Sequence, residues 1–255
     1  MVDLVRRSEP LDIGVVLQTT FAVIGRNFGT FLILSAILAG LPTLLAALSM
    51  LQFLGSDLTR ASFNMDGAVR GGWAGLVELV TGVILQGAII HITAADLNGQ
   101  PASWTRGLST GLRNILPLIA IAILYALGIT FGLIFLIVPG ILFGLANCVA
   151  VPVKVVEGAG VFRAFSRSAY LTRGNRWRIL ALGILMLFIS MVLQTIGGAL
   201  TLMVPGGMAV KSAMLSPITN MFSGMIGAAL ISSLYVELRK GRDGVGVAEL
   251  ASVFD

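Results

Sequence analysis

Residues 152–180 read PVKVVEGAGVFRAFSRSAYLTRGNRWRIL. The stretch leaves one apolar segment, carries a short basic helix, and enters the next apolar segment through Arg176-Trp177-Arg178. Six of the chain's 17 Lys and Arg residues lie within it: Lys154, Arg163, Arg167, Arg173, Arg176 and Arg178. At a helical period, Arg163, Arg167 and Tyr170 share one face, while Val161, Phe162, Phe165 and Ala169 form the other. A helix of this kind suits a membrane surface, with guanidinium groups on phosphates and aromatic rings at the acyl boundary.

Working outward, the flanks are far more apolar than a soluble domain allows. The chain is 56% hydrophobic and only 11% charged, against about 25% charged in ordinary globular domains. The surplus has to face lipid. Its net charge of +5 is concentrated just outside apolar segments, which points to anionic headgroups and away from nucleic acid. The one cysteine, Cys148, sits inside an apolar run and reads as packing. The opening MVDLVRRSEPLD mixes acids with arginines and lacks an apolar run with a cleavage site, so it reads as no cleaved signal peptide.

Six segments are long and apolar enough to span a bilayer: Phe28–Phe53, Trp73–Leu97, Ile115–Val138, Ile141–Val156, Ile179–Val204 and Met214–Leu238. Gly40 and Pro42 predict a kink in the first, and Pro139-Gly140 predicts a tight connection between the third and fourth. Pro152 falls within the fourth and Pro217 near the start of the sixth. The polar residues 55–70 read as a loop, Pro205-Gly206-Gly207 as a break, and residues 239–255 as a polar tail. Two weaker amphipathic helices precede the first and third spans, one capped by Asp12 and one by Ser103.

The pattern predicts an all-α polytopic protein, a single integral membrane domain over residues 1–255. It would hold six transmembrane helices as three hairpins, each introduced by a cytoplasmic amphipathic interfacial helix. Approximate repeat units are 11–97, 102–157 and 159–238, with Asn27, Asn114 and Asn175 at matching positions and Asp96, Glu157 and Glu237 near the ends. An even number of spans per unit makes these parallel repeats. Of the 17 basic residues, 14 fall on one side of this arrangement and 3 (Arg60, Arg70 and Lys211) on the other. The positive-inside bias then puts both termini and all three short helices in the cytoplasm.

Chemistry-bearing residues are few. His91 is the only histidine, so no histidine-based metal site can form within one chain. No phosphate-binding Gly-rich loop, dinucleotide fingerprint, HExxH or GxSxG motif occurs. The expectation is no catalytic residue, no metal, no cofactor and no nucleic-acid partner. Glu78, His91, Asn147 and Asn220 are polar groups within spans, as are Gln86 and Gln194. They read as interhelical hydrogen-bonding groups, or alternatively as the lining of a channel or of a solute or lipid transporter. Arg163, Arg167, Arg173, Arg176 and Arg178 read as contacts to anionic lipid headgroups. Oligomeric state and protein partners are left open.

The residues Glu157-Gly158, Ala164, Arg167-Ser168, Leu171-Thr172, Gly174-Asn175 and Trp177, followed by Tyr235-x-Glu237-Leu238-Arg239, resemble a bacterial membrane-protein family. It is the glycerophosphoryl diester phosphodiesterase membrane-domain family, close to the YciC-type proteins. Leu11-Asp12 through Arg26-Asn27-Phe28 resembles that family's opening, so the likeness covers nearly the whole chain. The family takes its name from members fused to a phosphodiesterase barrel that this sequence lacks, so no catalytic residue carries over. The resemblance implies six spans and a bacterial inner-membrane location. Together these readings predict a non-enzymatic inner-membrane protein, a lipid-engaging structural or regulatory module with a basic cytoplasmic face.

Overall fold

A computed structural model of the chain describes residues 11–56, 65–100, 103–203 and 208–243. Among these, every regular element is a helix. They run as α1 (Ile13–Arg26), α2 (Phe28–Ser35), a π-helical turn (Ala36–Gly40) and α3 (Leu41–Ser56). Next come α4 (Met65–Leu97), α5 (Trp104–Arg113), α6 (Ile115–Phe135), α7 (Ile137–Asn147) and α8 (Ala150–Glu157). The chain closes with α9 (Val161–Thr172), α10 (Arg176–Met203) and α11 (Met208–Asp243). Six stretches are long and apolar enough to cross a membrane: Phe28–Ser49, Gly72–Leu97, Ile115–Phe135, Ile137–Glu157, Arg176–Leu200 and Met214–Asp243. The protein is an all-α polytopic membrane protein.

The prolines act locally as their chemistry requires, though not always where expected. Pro42 lacks an N–H, and the turn just before it widens to the π form, with the Leu41 N–H reaching the Ala36 carbonyl. Pro152 cannot donate to the Cys148 carbonyl, and the fourth span breaks at Cys148–Val149, between α7 and α8. The α6–α7 connection falls at Leu136, which is extended (φ −161°, ψ 134°). Pro139 instead occupies the first turn of α7, where its missing N–H would have no helical partner. Gly132 and Gly140 let this hairpin close, because a Cβ on Gly132 would lie 2.5 Å from the Gly140 Cα.

Several boundaries differ from the sequence expectation. α4 starts at Met65, so residues 65–70 are helical rather than loop; residues 57–64 lie outside the described set. Lys211 is within α11, not a linker, and α11 runs on to Asp243 through residues expected to open the tail. Polar residues at a helix end mark where it leaves hydrocarbon, not where it stops. The Pro205-Gly206-Gly207 break and residues 244–255 lie outside the described set.

α4 and α11 contain 33 and 36 residues, about 50 and 54 Å at 1.5 Å per residue, well beyond a hydrocarbon core of about 30 Å. Their later halves form the centre of the molecule. Ala88, Ile89, Ile92 and Thr93 of α4 and Ala229, Ser233 and Tyr235 of α11 are essentially inaccessible. The short helices pack around these halves, α1 by its apolar side, with Val16, Thr20, Val23 and Ile24 buried, and α5 and α9 by smaller residues. α5 runs antiparallel beside α4 through glycine: Gly111 approaches the Ile84 carbonyl and Gly107 the Ala88 carbonyl and Ile92. Trp104 and Leu112 of its apolar stripe stay exposed. α9 buries Ala164, Ser168, Leu171 and Thr172; its Ser168 hydroxyl donates to the Ala146 carbonyl at 2.9 Å beside the break in the fourth span, and the Thr172 hydroxyl is shared between that carbonyl at 3.2 Å and the Ser168 carbonyl at 3.0 Å.

Candidate functional site

The arginine-rich end is organised first by how the short helices hand over to the long ones. Asn27, Asn114 and Asn175 each accept, through the backbone carbonyl, the fourth amide of the following helix, from Phe31, Leu118 and Ile179 at 2.9, 2.9 and 3.0 Å. The Asn27 and Asn114 side chains also donate back one turn, to the Val23 and Thr110 carbonyls. Asn27 further donates to Asp96 at 2.8 Å, and Arg26 pairs with that carboxylate at 2.6 Å. The Asp96 carboxylate raises the Arg26 pKa through this hydrogen bond, outweighing a small desolvation effect. Asn175 is used differently, since its side-chain carbonyl accepts the Leu11 N–H at 3.1 Å. Arg178 donates to the Leu11 carbonyl at 2.7 Å. The start of α1 is thereby tied to the start of α10.

A second cluster joins α8, α9 and α11. α8 ends on Gly158, whose left-handed φ of 63° turns the chain so that α9 lies against Glu157. The Arg167 guanidinium donates from Nε to both Glu157 oxygens at 3.2 Å and pairs through Nη2 with Asp243. Burial works against its charge, but the Asp243 hydrogen bond and the charges of both carboxylates outweigh it and raise the Arg167 pKa. Tyr235, almost fully buried, donates to Glu157 at 3.1 Å. Arg239 donates to the Tyr235 hydroxyl at 3.4 Å and lies 3.7 Å from Asp243. The guanidinium carbons of Arg167 and Arg242 both sit 5.5 Å from the centre of the Tyr170 ring, within cation–π range.

These contacts sort the five arginines expected at headgroups. Arg167 is taken up by two carboxylates and a ring and is turned inward, so the expectation fails for it. The sequence showed a basic face but not the acids that the fold brings to it. Arg163, Arg173 and Arg178 are exposed, and Arg176 is half-buried. Beside them, Phe162 and Trp177 are 80% and 83% exposed. Arg113, Trp104 and Leu116 on the α5–α6 junction repeat this mixture of exposed cation and exposed apolar side chain.

Of the polar residues within spans, the fold brings two together and leaves two apart. Thr43 Oγ1 lies 3.3 Å from Glu78 Oε1 and accepts from Asn220 Nδ2 at 3.3 Å. Among the described residues, Asn147 donates to the Phe143 carbonyl of its own helix. His91 is half-buried on α4, within electrostatic reach of Arg106. Thr43 was invisible to sequence reasoning, because a threonine in an apolar helix ordinarily satisfies itself on the carbonyl four residues back, as Thr43 also does on Ala39 at 2.8 Å. Among the described residues no group of three or more His, Cys, Asp or Glu is placed to hold a metal.

Residues 69–238 match the family model described as a domain of unknown function, DUF7847. The chain belongs to that family. It is also 27% identical over 157 residues to a UPF0259 membrane protein of Pectobacterium carotovorum subsp. carotovorum, covering 62% of this chain and 60% of that one. UPF0259 membrane proteins of Sodalis glossinidius and Photorhabdus laumondii match at 27% and 26% identity, over 63% and 62% of this chain. The match spans about three fifths of the length of these relatives. No solved structure matches. The relatives agree with six apolar spans among the described residues in making this a multi-pass bacterial membrane protein. They support the membrane-protein part of the sequence resemblance, and they do not show its link to the glycerophosphoryl diester phosphodiesterase.

Proposed function

We propose that this chain is a non-catalytic module of the bacterial inner membrane whose arginine-rich end engages anionic lipid headgroups from the cytoplasmic side. One observation carries the reading: Phe162 and Trp177, four-fifths exposed, alternate with exposed Arg163 and Arg178 on α9 and α10. Rings at the acyl boundary and guanidinium groups one residue away match an interface with anionic lipid. Each such cation contributes about 1 kcal/mol near an anionic surface. Arg163, Arg173, Arg176 and Arg178 would make the contacts. Arg167 holds α9 in place and is a positioning residue. The 14-to-3 distribution of basic residues supports the cytoplasmic heading of this end.

The test uses the full chain with Trp73 and Trp104 replaced by Phe, leaving Trp177 as the one fluorophore. The protein is reconstituted with brominated phosphatidylglycerol or brominated phosphatidylcholine at equal mole fraction. Quenching should favour the anionic lipid, and the preference should vanish when Arg163, Arg173, Arg176 and Arg178 are changed to Gln. Equal quenching by the two lipids in the unaltered arginine background overturns the proposal.

A further inference from the structure

The connection between the third and fourth spans differs in kind from the other two at the end of the molecule opposite the arginine-rich one. Residues 126–146 read ALGITFGLIFLIVPGILFGLA, in which Thr130 is the one polar side chain. The sequence between the first and second spans carries Asp57, Arg60, Asp66 and Arg70, and that between the fifth and sixth carries Lys211 and Ser212. At the α6–α7 turn, Ile134, Phe135, Leu136, Ile137 and Val138 are each 65–78% exposed. A turn in water gathers small polar residues with its Gly and Pro. This one has Pro139 and Gly140 among large apolar side chains and nothing polar.

The two helices are closed on each other and on little else at this end. Leu118 and Ile121 are the buried residues of α6, and from 122 to 139 no residue is buried. Gly128 leaves room for the Phe143 ring, where a Cβ would collide, and the Tyr125 hydroxyl donates to the Gly144 carbonyl at 3.2 Å. With the Gly132–Gly140 approach, these contacts make a two-helix finger that is apolar outside except at Thr130. Its turn spends few backbone polar groups. The Leu136 N–H bonds the Gly132 carbonyl at 3.0 Å, the Gly140 N–H bonds the Leu136 carbonyl at 3.5 Å, and Pro139 has no N–H to satisfy. The Ile137 and Val138 amides are left over, which suits the edge of the hydrocarbon and not its centre. The length of α6 agrees: its 21 residues cover about 32 Å, against a hydrocarbon core of about 30 Å.

We propose that the α6–α7 turn is a lipid-embedded tip: the side chains of Leu133–Val138 end among the acyl chains at the edge of the far leaflet and do not form a loop in water. The partner of this surface is the hydrocarbon of that leaflet. Continuity carries the assignment. The exposed surface of the tip runs on without a polar break into Leu127, Phe131, Ile141 and Leu142, exposed on the crossing parts of the same two helices, so the medium that covers those covers the tip. Both ends of the hairpin stay on the arginine-rich side, and contacts made in water at the far end fall to the other two connections. The proposal is independent of headgroup binding by the arginines.

The experiment puts a nitroxide label on Ile137→Cys in a Cys148→Ala background of the full chain, reconstituted in phosphatidylcholine vesicles. Leu127→Cys, further back on α6, is the reference for hydrocarbon, and Lys211→Cys, on a polar far connection, is the reference for water. Power saturation of the spin signal reads collisions with oxygen, which dissolves in hydrocarbon, and with a nickel chelate, which stays in water. The label at 137 should meet oxygen as the one at 127 does and meet nickel at least tenfold less than the one at 211. Nickel collision within threefold of the value at 211 places the turn in water and overturns the proposal. Low collision with both reagents means that protein covers the tip, a second copy included, and overturns it equally.

Discussion

The antiparallel seating of α5 on α4 makes a graded prediction with its own control. A methyl group at Gly111 would stand 2.6 Å from the Ile84 carbonyl oxygen and 3.1 Å from the Ile84 Cγ2. The oxygen belongs to a helix backbone and cannot move aside, so α5 must be pushed off α4. At Gly107 the nearest atoms are the Ile92 Cδ1 and Cγ1 at 2.8 and 2.9 Å, and the backbone contact, to the Ala88 carbonyl oxygen at 3.1 Å, is looser than the one at Gly111. At Gly25, exposed on α1, a methyl group meets nothing within 4 Å. Overpacking costs about 1–3 kcal/mol, while Gly→Ala in an unhindered helix gains roughly 0.5–1 kcal/mol. Gly111→Ala should therefore lose about 1–3 kcal/mol, Gly107→Ala a smaller amount, and Gly25→Ala nothing or a slight gain. Unfolding followed by circular dichroism in mild detergent, titrated with dodecyl sulfate, reads the order directly. If Gly111→Ala unfolds at the same denaturant fraction as Gly25→Ala, α5 does not lie along α4 and the packing described here is wrong.

Three further outcomes follow from the geometry. Arg167→Ala should destabilise by about 1–3 kcal/mol, because it strands Glu157 and Asp243 in a site where Arg167 and Glu157 side chains are 26% and 19% exposed. Adding Glu157→Ala should cost less than the sum of the two single changes, a coupling that a double-mutant cycle in the same unfolding assay measures. Asn27→Ala removes the side-chain bonds to Val23 and Asp96 and should cost about 1–2 kcal/mol. Asn114→Ala removes only the Thr110 bond and should cost less in that measurement. Finally, cysteines placed at Ser166 and at Lys211 in a Cys148→Ala background should react with a membrane-impermeant maleimide from opposite sides of intact cells and inverted vesicles; labelling from the same side would refute the proposed orientation.

Hydrophobicity alone made the six spans legible, because a run of twenty apolar residues has no other stable placement. The site was legible in part. Arg163, Arg173 and Arg178 announce themselves as cations beside aromatic residues, and the fold leaves them exposed. Arg167 carried the same signal and ended elsewhere, because its partners Glu157 and Asp243 lie 10 and 76 residues away in sequence. What α9 packs inward was not legible for a related reason: the neighbouring backbone offers a carbonyl, so Ser168 goes inward with Ala164, Leu171 and Thr172, while Phe165 is half-buried beside them and Phe162 stays exposed. Likewise, nothing about Gly107 and Gly111 in the sequence separates a contact surface from a loose helix. Only the partner strip on α4 does that.

The interruption at Cys148–Val149 reaches further than the fourth span. A continuous helix spends every carbonyl on itself and offers a neighbour only side chains. Here the fracture leaves the Ala146 oxygen available, and two hydroxyls from α9 settle on it. The break thus creates the socket for a different helix, and that helix carries Phe162 and Arg163. Restoring the fourth span with Pro152→Ala should leave the bilayer crossing intact yet unseat α9, altering the basic surface from a point with no charge of its own.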